Sequence, residues 1–292
     1  MATNSKEIRR RIKSTQSIKK ITKAMELVSA AKMRKAQAAA TASRPYATLS
    51  AELLRNIAAK TGQLKHPLMR KVVSNGDKSS KILAIVVTSD KGLAGSLNTN
   101  VVNKTIGILK EEGRERFDFI TVGRKGTDAI RRLGGNIIAT FAGKDKAVTS
   151  LDTKPIAEIA MNEFISGKYD KVFIIYPQFI STLVQKPNIL QLLPFVQETG
   201  NKAHAATEFL FEPSPGEVLE NLIIRAVEFS IYQTLAESAA SEHSARMVAM
   251  RNANEAAGEL IDDLSLSYNQ ARQAGITREL SEISAAKLAM EG

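Results

Sequence analysis

The stretch VVTSDKGLAGSLNTNVV, Val86 to Val102, holds the residues best spaced for chemistry: an apolar run, a turn with Gly92 and Gly95, and then a helical pattern. Strand, glycine turn and helix is the arrangement in which backbone N–H groups hold a nucleotide phosphate. The details argue against that use. A Walker-type loop needs a lysine and a hydroxyl residue directly after its last glycine, whereas Gly95 is followed by Ser96 and Leu97. A dinucleotide fingerprint needs three spaced glycines, and only two are present. The turn reads as a tight strand-to-helix corner, and no cofactor is expected.

The other reactive residue types are as poorly arranged. His66, His204 and His243 lie far apart without metal-ligand spacing, so they read as solvated or structural. No Ser–His–Asp arrangement can be argued from spacing. The chain has no Cys, which excludes disulfides, thiolate zinc sites and a cysteine nucleophile, and fits a reducing compartment. The adjacent Asp262 and Asp263 point to different sides of a helix and read as solvent-facing.

Charge is distributed unevenly. Residues 1–35 hold 11 Lys or Arg against 2 acidic residues, whereas residues 213–292 hold 6 against 12. Ends of opposite sign can attract one another. The basic run from Arg9 to Lys23 suits a solvated coil face, a partner with acidic loops, or nucleic-acid phosphates, but the aromatics that would stack bases are missing until Tyr46. A hydrophobic content of 43% is enough for a core. No apolar run approaches the ~20 residues of a membrane span. The charged N-terminus is no secretory signal, although its Arg and Ser content resembles a transit peptide.

The elements that must position these residues fall into three parts: a helix over 1–60, an α/β domain over 61–212 and a helix over 213–292. Asn4 with Glu7 reads as the first helix start, and Ser214, Pro215 and Glu217 as the last. Ile18, Ile21, Met25 and Val28, then Tyr46, Leu49, Leu53 and Ile57, recur in three- and four-residue steps and mark the front helix's stripe. Leu222, Phe229, Leu260, Leu264 and Ala271 mark that of the back helix. Ala-rich middles in both predict close approach in an antiparallel coiled coil. Between them, strands at 81–89, 117–123, 136–141 and 171–177 alternate with helices near 100–112, 125–133 and 153–166, the rhythm of a Rossmann-like, doubly wound sheet. TLVQKPNILQLLP and TEFLFE read as edge or hairpin strands.

At ~1.5 Å per residue the terminal helices are roughly 80 and 115 Å long, far beyond a middle domain with a ~15 Å radius of gyration. They are expected to project as a rod. The N-terminus then meets the back helix around residues 265–275, leaving the last ~20 residues as a single-helix tip.

KITKAMELVSAAKMRKAQ (20–37), SDKGLAGSLN (89–98) and YNQARQAGITREL (268–280) closely resemble signature segments of the gamma subunit of rotary F-type ATP synthases. The likeness spans nearly the whole chain. It departs at Ala94–Gly95, where the family usually has Cys-Gly, and the Cys-bearing insert of chloroplast relatives is absent. The resemblance implies a non-catalytic rotor: a coil inside a ring of three alpha and three beta subunits, with its α/β domain resting with epsilon on the membrane ring of c subunits. It places the protein peripherally at the cytoplasmic face of the cell membrane, and implies neither nucleic-acid binding nor direct membrane insertion. It also implies contacts to beta-subunit loops from Arg272, Gln273, Arg246, Met25, Lys23, Lys91 and Asp90. Two other readings stay open on residues alone: a Rossmann-like nucleotide-binding protein with a helical dimerisation arm, and a basic coiled-coil nucleic-acid binder.

Overall fold

The computed structural model describes residues 5–61, 66–69, 81–143, 148–194, 212 and 214–291. It has two compact units, Ala30–Arg246 and Met1–Ser29 with Met247–Gly292, so the division falls within both long helices. These helices are α1, Ser5–Thr61, and α5, Pro215–Glu291.

In the larger unit, β1 (Ile82–Val87), β2 (Phe117–Val122), β3 (Asn136–Phe141) and β4 (Lys171–Phe179) form parallel pairs, with β5 (Gln185–Leu193) antiparallel at one edge, in the order β3-β2-β1-β4-β5. The crossovers are α2 (Leu97–Glu112), α3 (Arg124–Arg132) and α4 (Ser150–Ile165). β1 is buried along its whole length because helices cover both faces. Leu83, Ile85 and Val87 point into a core with Ile156, Ala160 and Phe164 of α4 and Ile223, Val227 and Ile231 of α5. Ile82, Ala84 and Val86 point the other way, to Val101 and Leu109 of α2 and Ile130 of α3. The first part of α5 is therefore a core helix of the α/β unit. β5 takes the edge, where Pro187 loses no needed ladder bond.

The start of α5 is as read: the Glu217 N–H donates to Ser214 Oγ at 3.3 Å, and that hydroxyl meets Glu217 Oε1 at 3.4 Å. α4 begins earlier than expected, because Thr149 and Asp152 form a capping box ahead of Pro155. Asn4 and nearly all of TEFLFE lie outside the described residues, as do the side chains of Tyr46, Leu49, Leu53 and Ile57.

The smaller unit corrects the expected coil stripes. On α1 the buried residues are Ile8, Thr15, Thr22 and Ser29, a seven-residue repeat. Ile18 is 51% exposed, Ile21 59% and Val28 56%, while Met25 is half-buried. On α5 the inner positions are Met250, Asn254, Ala257, Ile261, Leu264, Tyr268, Ala271 and Gly275, and Leu260 faces outward. The physical reason is close approach. Small residues let the backbones come together, and the inner hydroxyls of Thr15 and Thr22 are satisfied by donating to the Arg11 and Lys19 carbonyls. The larger apolar side chains are left outside. Asn254 Nδ2 donates to the Lys19 carbonyl at 2.6 Å. Continuing that antiparallel register puts Ser5 beside residues about 268–271 at 1.5 Å per residue on each helix. From Ile276 to Lys287 every residue is exposed, as expected where the partner helix ends.

At the opposite end of the sheet from the glycine corner, fully buried Tyr169 donates to Asp118 Oδ2 at 2.6 Å, while Asn136 Nδ2 donates to Asp118 Oδ1 at 2.8 Å. Burial, then the Asp118 hydrogen bond, pushes the phenol well above its ordinary 10.0. The folded state thus keeps its proton where the unfolded chain releases it, so stability is intact below pH ~10 and falls above it. Tyr169→Phe is expected to cost about 1–3 kcal/mol at neutral pH and to flatten that alkaline loss, as read by urea unfolding at a series of pH values.

Candidate partner interface

The loop after β1 is built around one carboxylate. Asp90 Oδ1 accepts the backbone N–H of Arg124, the first residue of α3, at 2.8 Å and that of Gly143, just past β3, at 3.0 Å. Thr88 Oγ1 accepts the Gly126 N–H at 2.7 Å, and Lys125 N–H reaches the Ser89 carbonyl at 3.1 Å. Asn98 Oδ1 accepts the Ser89 N–H at 3.0 Å from the first turn of α2. Gly123 is required here: its φ is +91°, and a Cβ would lie 2.1 Å from the Thr88 carbonyl oxygen. Three loops at the carboxyl ends of β1, β2 and β3 are thereby tied together.

This is where an open α/β sheet ordinarily binds a ligand. Here the α3 N-terminus already holds an anion, the protein's own Asp90, and a phosphate would have to displace it. Nearby, a cavity of about 230 Å³ is lined by Val87, Val122, Phe141 and Leu235 with Asp152 and Glu242 at its polar side. Those carboxylates repel a phosphate. The geometry supports the corner reading of the glycine turn and disfavours the nucleotide.

The turn's strain sits at an unexpected residue. Gly95 has φ +57°, but the other left-handed position is Leu93, at φ +62°, and Gly92 is not one of them. Leu93 is also 60% exposed. Its neighbour Lys91 is exposed, whereas Asp90 is half-buried. Arg246 is drawn to the same loop from α5. Its Nε and Nη2 donate to the Gly92 carbonyl at 3.4 Å, its Nη2 pairs with Glu242 at 2.7 Å, and only 7% of it is exposed. Two residues earlier, Ser244 Oγ donates to the Thr182 carbonyl in the β4–β5 loop at 2.6 Å. Asp90, Lys91 and Arg246 are thus gathered at one corner of the larger unit.

In the smaller unit, Lys23 pairs with Glu26 at 3.0 Å and remains over half exposed, beside half-buried Met25. Arg272 and Gln273 are exposed on α5, about 27 Å further along than Asn254 at 1.5 Å per residue. These two pairs are not brought together. His66 and His243 both have structural roles: His66 Nδ1 accepts the Leu68 N–H at 3.2 Å, burial lowering its pKa, and buried His243 Nδ1 lies 3.4 Å from Arg246 Nη1. Asp262 and Asp263 are exposed, as expected. Sequence reasoning missed the hydroxyl stripe of α1, which a search for seven-residue spacing of small residues finds. It also missed the apolar tip of the β4–β5 loop, where Ile180 is 52% and Leu183 78% exposed.

A family profile described as ATP synthase matches residues 4–290. The ATP synthase gamma chain of Pelotomaculum thermopropionicum is 42% identical over 98% of this chain and 99% of its own length. The chain belongs to the ATP synthase gamma-chain family. The gamma chain of Herpetosiphon aurantiacus is 41% identical over 98% of this chain and 99% of its own. Among solved structures, a chain of the Tetrahymena thermophila mitochondrial ATP synthase central stalk and c-ring is 26% identical, with a TM-score of 0.62 over 80% of this chain and 99% of that one. A chain of the Euglena gracilis mitochondrial enzyme shares the fold, with a TM-score of 0.67 at 19% identity over 98% and 94% of the two chains.

For this gamma-chain relative, two outcomes test the corner. Calorimetry is expected to detect no micromolar ATP binding to the purified chain; such binding would refute Asp90 as the resident anion. Leu93→Gly relieves the left-handed strain and is expected to raise stability by about 1 kcal/mol in denaturant unfolding, because the leucine occupies a conformation that only glycine adopts cheaply.

Proposed function

We propose that the chain is the central-stalk rotor of an F-type ATP synthase, coupling ion-driven rotation of a membrane c-ring to ATP synthesis or hydrolysis at catalytic beta subunits. It is not itself the catalyst. On this reading residues 1–60 and 213–292 form the shaft within the ring of alpha and beta subunits, the first part of α5 serving also as a core helix of the α/β unit. Residues 61–212 carry the α/β domain that meets epsilon and the c-ring at the cytoplasmic face of the membrane. Among the described residues no helix is long and apolar enough to cross a membrane.

The observation that carries this reading is the inverted polarity of the smaller unit. Three of its four buried α1 positions are Thr or Ser, while Ile18, Ile21, Leu27 and Val28 on α1 and Leu260, Leu266, Ile276, Leu280 and Ile283 on α5 face outward. Such apolar area favours a surrounding protein surface. A shaft with different side chains on each flank presents a different face to each of three equivalent catalytic sites. The differential contact energy between those faces biases each site's conformation, which is what coupling requires.

Within that shaft Arg272 and Gln273 act as a catch on a beta-subunit loop. They lie past the level of Ser5, and among the described residues no partner helix satisfies them; the guanidinium fork suits a bidentate carboxylate. Lys23 and Met25 meet acidic loops, and Asp90, Lys91 and Arg246 form a further contact. Lys91 and Leu93 supply its exposed side chains, and Asp90 and Arg246 hold the loop that presents them.

The test is the ATPase rate of the reconstituted complex at matched subunit stoichiometry. Arg272→Lys keeps the charge without the fork and is expected to reduce turnover more than assembly. Arg272→Ala with Gln273→Ala is expected to be worse, at least tenfold, or about 1.4 kcal/mol of lost coupling contact. Wild-type turnover in the double variant would refute the catch.

A further inference from the structure

We propose that Asn254 is a register pin of the coiled coil, a polar residue that fixes which turn of α1 faces which turn of α5. The bond that carries this crosses between the helices. Asn254 Nδ2 donates to the Lys19 main-chain carbonyl at 2.6 Å and lies 3.3 Å from Thr22 Oγ1. One turn along α5, the Lys19 side chain lies across Gly258, where a Cβ would come within 2.9 Å of the ammonium. A backbone acceptor, a side-chain hydroxyl and a glycine notch therefore define a single alignment.

Between Thr15 and Ser29 the α1 side of the seam defines it weakly. Thr15, Thr22 and Ser29 are nearly interchangeable at successive heptads of α1, so sliding by one heptad replaces one small hydroxyl residue with another. Their hydroxyls do not pin the helices either, because Thr15 and Thr22 donate within α1. Opposite them, Ala257 and Ala271 are one residue type two heptads apart, with the larger Leu264 between them. The α1 side of the seam is thus repetitive, and only the α5 side changes with register. A half-buried amide at an inner position adds a directional bond that a shifted register loses, at some cost in stability relative to an apolar residue. The Lys19 carbonyl also accepts the Thr22 hydroxyl at 3.0 Å, so removing the amide orphans no acceptor.

The test uses the full-length chain with spin labels on cysteines at Gln16 and Glu259, both exposed. The absence of native Cys leaves only those two labels. With Asn254 present, a single narrow distance distribution is expected. Asn254→Val is expected to add a population displaced by one turn or one heptad, ~5 or ~10 Å, while the melting temperature holds or rises. Asn254→Ala is made in parallel in case valine disturbs the helix. A single narrow distribution at the wild-type distance in either folded variant would overturn the proposal, whatever the melting temperature. Loss of folding in both would overturn it too, since the amide would then be needed for stability and not for register.

Discussion

The structure depends on α5 being two things along one continuous helix. Over its first turns Ile223, Val227, Ile231 and Leu235 are buried against the sheet, each contributing about 1.5–3 kcal/mol of apolar burial. Without them, one face of β1 and β4 would lack half its cover. The same helix continues into the coil, where its inner positions are Met250, Asn254, Ala257, Ile261, Leu264, Tyr268 and Ala271, a mixture of large and small side chains facing α1 instead of a sheet.

That division explains which features could be read from residues alone. The central strands β1 and β2 were legible because strands buried on both faces appear as unbroken runs such as ILAIVV, and the helix start at Ser214 because its cap acts over three residues. The coil stripe was misread for a definite reason. Apolar periodicity finds the apolar side of a helix and assumes that side is inside. On α1 the inner side is Ile8, Thr15, Thr22 and Ser29, mostly hydroxyl residues, so Ile18, Ile21 and Val28 pointed to the wrong face. The corner was legible only as the failure of two phosphate motifs. What fills it, Asp90 bonded to Arg124 and Gly143, joins residues 34 and 53 positions apart, and no local pattern encodes such pairings.

Asp90 and Arg246 divide the corner's work between opposite charges. The carboxylate gathers main-chain donors from two loops, and the guanidinium, itself paired with Glu242, reaches the Gly92 carbonyl from α5. Neither charge is left to solvent alone. Lys91 and Leu93 are then displayed on a loop whose backbone is held on both sides, so that little conformational entropy is left to lose in any contact made there.

The edge position of β5 bears on the life of the chain before assembly. Pro187 removes a main-chain donor from that edge, and Lys186 beside it adds charge, two devices that make a strand a poor template for another chain. The apolar side chains left uncovered are mostly on helices, whose main-chain groups are already satisfied internally. Copies waiting for their partners would therefore adhere side by side through helix flanks, by weak and reversible contacts, and would not template growing fibrils along the β5 edge. A chaperone, or simple dilution, could undo such clusters without unfolding the chain.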